Sequence, residues 1–221
     1  MTIDRRNFLT LAAGGVALTA APAILRAQPG QADAALLARA YETLHPGLYR
    51  YASPRQMAAR FARLGDALGA ASTLAGKYLA LSRLLGTIRC GHTYANFYNQ
   101  SDSVVSALFA GPNRLPFRFR WLGTRMIVTA DTENVGLAPG TEVLAVDGRP
   151  AAAILTALLP LARADGSNDA KRRALLGVEG RDGYESFDVY YPLLFPMRAP
   201  DFTLTVRAPG VGKRTLRVAP I

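Results

Sequence analysis

The hydrophobic spacing of this chain changes period once, between Ile88 and His92, and that change decides what it can build. Up to Ile88, apolar residues recur every three or four positions; beyond Gly91 they alternate. Three helices are therefore expected first. Residues 32–44 place Leu36, Leu37, Ala40, Tyr41 and Leu44 on one face, and Pro46-Gly47 ends that helix. Ser53-Pro54 opens a second helix as cap and first-turn proline, with Met57, Phe61, Leu64 and Leu68 facing inward. Ser72 is expected to cap a third, striped by Leu74, Tyr78, Leu81, Leu85 and Ile88. Stripes of this kind bury helices against one another and are not ligand surfaces.

After Gly91 a strand would put His92, Tyr94, Asn96 and Tyr98 on one face and Thr93, Ala95 and Phe97 on the other. A short helix comes next, capped by Ser101. Leu115, Phe117, Phe119 and Trp121 then alternate with Pro116, Arg118 and Arg120, and Gly123-Thr124 makes a hairpin turn into "RMIVTA". "GLAPGTEVLAVDGRP" reads as a turn, a buried strand and an Asp-Gly turn. Residues 151–163 read as a helix that Pro160 bends or shortens, whereas 164–199 shows no assignable period. Phe202, Leu204, Val206, Leu216 and Val218 predict a terminal hairpin. The expectation is an α+β chain: an N-terminal three-helix domain over 31–99, ending in the His92 strand, and a β-rich domain over 104–221.

Residues 1–27 stand apart. Arg5-Arg6, then Asn7-Phe8-Leu9, a weakly apolar Ala/Gly stretch and Ala21-Pro22-Ala23 have the layout of a twin-arginine export signal. This predicts a periplasmic or secreted protein, cleaved after Ala23 or Ala27 and left without a stable membrane anchor. Cys90 is the sole cysteine, so no intramolecular disulfide can form and packing must hold the fold. The formal charge is +10, but the arginines are scattered. Lys171-Arg172-Arg173 leads at once into Ala-Leu-Leu and reads as one solvated helical turn. Without a basic stripe interleaved with stacking aromatics, nucleic acid is not an expected partner.

The candidate chemistry centres on "GTIRCGHTYANF", residues 86–97. Cys90 and His92 lie two apart, but side chains at that spacing on a strand stand parallel and do not meet. A lone cysteine at a helix end is usually a small buried hydrophobe. His92, beside Gly91 and Thr93, would project from a sheet edge, although spacing alone favours a structural histidine over a catalytic one. His45, before Pro46, is expected to cap a helix C-terminus. Two histidines and one cysteine with no clustered carboxylates give no metal site, and no glycine-rich phosphate loop or nucleophile elbow is present, so no cofactor is expected. Glu179, Asp182, Glu185 and Asp188 read as a solvated loop or strand.

In order, "LHPGLYRYAS", "LLGTIRCGHTYANF", "LPFRFRWLGTRMIVT" and "GLAPGTEVLAVDGRPAAAIL" resemble the N-terminal half of the tail-specific (C-terminal processing) serine peptidase family, over residues 33–219. The similarity is to the branch containing the tricorn core protease and its bacterial secreted relatives. The Gly136–Pro150 stretch resembles a PDZ-like domain, which implies that 104–221 is one. The "GHT" match implies that His92 is the general base, with Tyr94 and Asn96 as candidate neighbouring or substrate-side groups. Some members carry a serine where this chain has Gly91, and others use a serine–lysine dyad, in which case His92 would be structural only. The family's nucleophile lies in a domain after the PDZ-like region, and none of the eight serines beyond the signal matches it. The resemblance thus implies a truncated, split or degenerate peptidase portion, inactive alone, whose partners are a peptide or protein C-terminus and a catalytic domain supplied in trans. The competing expectation is a non-enzymatic periplasmic peptide-binding module.

Overall fold

A computed structural model describes residues 29–221; the twin-arginine segment lies outside the described residues. The chain is α+β. Helices α1 (Pro29–Leu44), α2 (Pro54–Ala70), α3 (Leu74–Ile88) and α4 (Asp102–Leu108) precede the first strand. They are succeeded by β1 (Phe117–Leu122), β2 (Arg125–Asp131), β3 (Glu142–Val146) and β4 (Arg149–Pro150). Three short helices come next: α5 (Ala151–Leu158), α6 (Asp169–Ala174) and α7 (Ser186–Leu194). The hairpin β5 (Phe202–Ala208) and β6 (Gly212–Val218) closes the described chain. No helix among the described residues is long and apolar enough to cross a membrane.

The helix starts obey their local chemistry. Ser53 and Gln56 form a reciprocal capping box at α2, with Pro54 in its first turn. At α3 the cap is Thr73, not Ser72: its hydroxyl accepts the Gly76 amide at 3.0 Å. The inward face of α2 is as expected, with Met57, Phe61 and Leu64 buried. That of α1 is not. Leu36 and Leu44 are 62% and 79% exposed, while Ala34 is buried and Leu37, Ala38 and Tyr41 pack on the core. The cause is a close helix crossing. Gly30 lies directly over the backbone of Gly65, Leu68 and Gly69, so the small-residue side of α1 faces α2 and the bulkier leucines turn outward.

β1 to β6 make one antiparallel sheet in the order β1-β2-β3-β5-β6, with β4 pairing only β3. β1 alternates buried and exposed along its whole length, as its sequence requires. Its outer edge is closed: Phe119 exchanges both backbone hydrogen bonds with Val178 (2.9 and 3.0 Å), and the Trp121 indole N–H donates to the Leu176 carbonyl. The other edge, β6, is open, with Lys213, Thr215 and Arg217 exposed. Pro160 does shorten the helix after β4, which stops at Leu158. Two helices occupy the stretch without a period, and α7 buries Phe187, Val189, Tyr190 and Tyr191.

Buried residues of the helices and the sheet form one continuous cluster. α3 is its hub, burying Tyr78, Leu79, Ser82, Leu84, Leu85, Gly86 and Ile88. Tyr78 meets Phe109 edge-on and Tyr190 obliquely, which joins α3 to the segment after α4 and to α7.

Candidate functional site

The α3 helix ends at Ile88, and the residues after it do not form a strand. Arg89 takes the left-handed conformation (φ 60°), normally a glycine position, and reverses the chain. Its guanidinium Nε donates to the Gly166 carbonyl at 2.6 Å and its own carbonyl accepts the Gly166 N–H at 2.9 Å, which stitches the reversal to the 165–166 turn. The Thr93 N–H then donates to the Cys90 carbonyl at 3.0 Å, leaving Gly91 and His92 at the tip of a tight turn.

Beyond that tip the ribbon keeps the burial alternation of a strand without a ladder partner. Thr93, Ala95 and Phe97 are buried, while Tyr94 and Asn96 are half-buried and His92 and Tyr98 exposed. The two faces are therefore as expected and the strand is not. Side chains from separate helices hold the ribbon instead. The Tyr78 hydroxyl donates to the Ala95 carbonyl at 2.8 Å. The His45 Nδ1 accepts the Gly47 N–H, so its neutral Nε2–H is the donor to the Thr93 hydroxyl at 3.0 Å. The His45 ring therefore bonds no carbonyl of α1, as a cap would, and instead anchors the residue next to His92.

His92 opens into a cleft of about 230 Å³ whose other walls come from Arg163, Asp165 and Lys171. Lys171 pairs with Asp165 at 2.8 Å. That hydrogen bond and charge, with a smaller contribution from His92, hold the Asp165 carboxyl below its ordinary range. Gly91 fits because a Cβ there would sit 3.3 Å from the Asp165 carboxyl carbon. Cys90 packs against the core and does not line this cleft, so the cysteine–histidine pair is not brought together.

Arg163, Lys171 and Leu175 also wall a second, adjoining cleft of about 400 Å³. Its floor is aromatic, with Tyr94, Phe97, Tyr98, Tyr184 and Tyr190. Three carboxylates expected in a solvated loop line it, and each is engaged. Glu179 pairs with Arg120 at 3.0 Å and with Arg181. Glu185 accepts the backbone N–H groups of Glu179 and Gly180 at 2.9–3.0 Å, folding the 179–185 loop over the cleft. Asp182 accepts the Tyr98 hydroxyl at 2.6 Å, which ties that loop to the His92 ribbon. Burial and the Asp182 bond push the Tyr98 phenol up to about 12. Asp188 belongs to α7 and is half-buried; burial, opposed by Arg114 and reinforced by Glu185, raises its carboxyl to about 7.

Of the candidates named from the sequence, His92 and Tyr94 line adjoining clefts. Asn96 lines neither: its Oδ1 accepts the Tyr98 N–H at 2.8 Å, a purely local bond. Sequence reasoning missed Arg163, Asp165 and the role of Lys171. The Lys171-Arg172-Arg173 run is not one solvated face either, because Arg172 is half-buried and donates to the Ala162 and Gly86 carbonyls. The usable signal was "ADGSND", a turn leading into an Asn168 cap whose side chain accepts the Lys171 N–H.

No family model and no curated protein matches the chain. Among solved structures it is similar to mature CPAF complexed with lactacystin, at 13% identity and a TM-score of 0.53, over 86% of this chain and 34% of that one. Mature CPAF alone gives 14% identity and a TM-score of 0.47 over 86% and 34%. The photosystem II D1 C-terminal processing protease gives 14% identity and a TM-score of 0.30 over 87% and 44%. At such identity the likeness concerns fold alone: this chain has the fold of part of CPAF and spans about a third of the length of that chain.

Proposed function

We propose that the chain is the exported, substrate-docking portion of a tail-specific-type serine peptidase, in which His92 is the general base and the nucleophile comes from a catalytic domain in trans. The observation that carries this reading is the exposed His92 side chain at a fixed turn, opening into a cleft that adjoins an aromatic one. The order of motifs along the sequence and the fold shared with part of CPAF support it. In this reading 104–221 is the PDZ-like region, able to add an extended peptide as a strand. Residues 1–27 direct twin-arginine export to the periplasm or beyond.

The chemistry needs a nucleophile from outside the His92 cleft. A histidine base takes a proton from a hydroxyl and returns it to the leaving amine, but acyl transfer also requires the attacking oxygen. Among the residues lining the His92 cleft there is no serine, threonine or cysteine. The purified chain is therefore expected to be unlabelled by a fluorophosphonate probe and inert towards casein. Adding a serine-bearing catalytic domain that is silent by itself should produce labelling, and His92→Ala should abolish that labelling without changing the melting temperature of this chain. Labelling of the isolated chain, or undiminished labelling with His92→Ala, would reject the assignment.

The absence of a hydroxyl from the cleft lining also favours a second reading, a peptide-binding module without catalysis. It predicts peptide binding that His92→Ala leaves intact and no labelling with any added domain.

A further inference from the structure

Arg163 stands at the junction of the two clefts and lines both. Its guanidinium carbon lies 4.8 Å from the centroid of the Tyr94 ring, a cation–π contact that does not neutralise it. It is half-buried, and no carboxylate among the described residues forms an ion pair with it. The other charged groups at these walls each have an ion-pair or hydrogen-bond partner. Asp165 holds Lys171, Glu179 holds Arg120 and Arg181, Glu185 is saturated by backbone amides, and Asp182 accepts a phenol. The Arg163 charge is also felt at Tyr190: burial pushes that phenol up to about 12, and the Ser82 hydroxyl and, less strongly, Arg163 work against that rise.

A half-desolvated guanidinium is costly unless an anion completes it, and its planar fork matches a carboxylate through two parallel hydrogen bonds. The aromatic surface beside it suits the apolar group carrying such a carboxylate. We infer that Arg163 is an anion anchor, and that the adjoining clefts take a peptide segment whose carboxylate sits on Arg163 while an adjacent apolar side chain fills the aromatic cleft. The inference rests on the peptide-docking reading of this site and names its ligand chemistry. It does not require His92 to act as a base.

The test is an NMR titration of the chain with three small probes, monitored at the Arg163 Nε–H and the His92 ring. The probes are N-acetyl-Leu-Phe as the free acid, N-acetyl-Leu-Phe amide, and N-acetyl-Glu-Phe amide. Either carboxylate-bearing probe should bind at least about tenfold more tightly than N-acetyl-Leu-Phe amide, and which one does so identifies a chain end or an acidic side chain as the source. Arg163→Gln should erase the preference, and His92→Ala should keep it, so that loss of the base role and loss of the anchor are read separately. Where Arg163→Gln does not fold, Arg163→Lys decides, because it keeps the charge and loses the fork: a reduced preference supports the anchor and an unchanged one overturns it. Equal binding of acid and amide, a preference that survives Arg163→Gln, or no response to any probe at ~10 mM would also overturn it.

Discussion

Gly86→Ala is expected to cost about 2–4 kcal/mol and to lower the melting temperature by roughly 5–12 °C. Gly86 sits in the last turn of α3, where the helix backbone touches the turn after α5. A Cβ there would lie 2.7 Å from the Pro160 carbonyl oxygen and 2.9 Å from an Arg172 guanidinium nitrogen. Backbone cannot swing aside as a side chain can. The Gly86 carbonyl also accepts from Arg172, whose Nε holds the Ala162 carbonyl, so the clash would push directly on the residue before Arg163. Besides melting lower, the variant should bind carboxylate probes less well. Gly69→Ala is the matched control, since a Cβ there meets nothing within 4 Å. Its helix propensity should leave stability unchanged or raise it by up to about 1 kcal/mol. Equal melting temperatures for Gly86→Ala and wild type would show that the α3 contact is looser than these distances imply.

Asp188→Asn should make the protein more stable at pH 8 and leave it nearly unchanged at pH 4. Folding raises the Asp188 carboxyl to about 7, chiefly by burial. The native state therefore holds a proton that the unfolded chain releases near pH 4. The resulting stabilisation is fully present below the unfolded value and is lost as the pH rises through about 7. A shift of this size has a ceiling of about 4 kcal/mol, and the partial exposure of the group reduces it to about 1–3 kcal/mol. Asparagine carries no charge and removes that loss, so denaturation curves of the two proteins should diverge between pH 4 and pH 7. Parallel curves across that window would mean that Asp188 ionises freely in the fold.

Much of the fold can be read from the chain because its elements are locally explicit. The β1–β2 hairpin announces itself by strict alternation and a Gly123-Thr124 turn, and α2 by a capping box and a regular stripe. The inward face of α1 cannot be read, because it depends on how closely Gly30 approaches Gly65 and Gly69 on another helix. α7 is hidden by its composition. Glu185 and Asp188 interrupt the apolar pattern around Phe187, and Pro192 lies inside the helix, so neither period emerges. The site divides in the same way. His92 is legible because a period change marks the turn that presents it. Arg163 and Asp165 are not, because they come from a polar loop brought beside that turn by Arg89 and Gly166.

The sheet is finished on one flank and unfinished on the other. Val178 and Leu176 close off β1, so any neighbouring molecule could lengthen the sheet only along β6. There it would meet Lys213 and Arg217, spaced so that two antiparallel copies of this strand oppose like charges. The same row that leaves the flank open thus makes stacking of this chain on itself unfavourable, and salt that screens those cations should weaken the barrier.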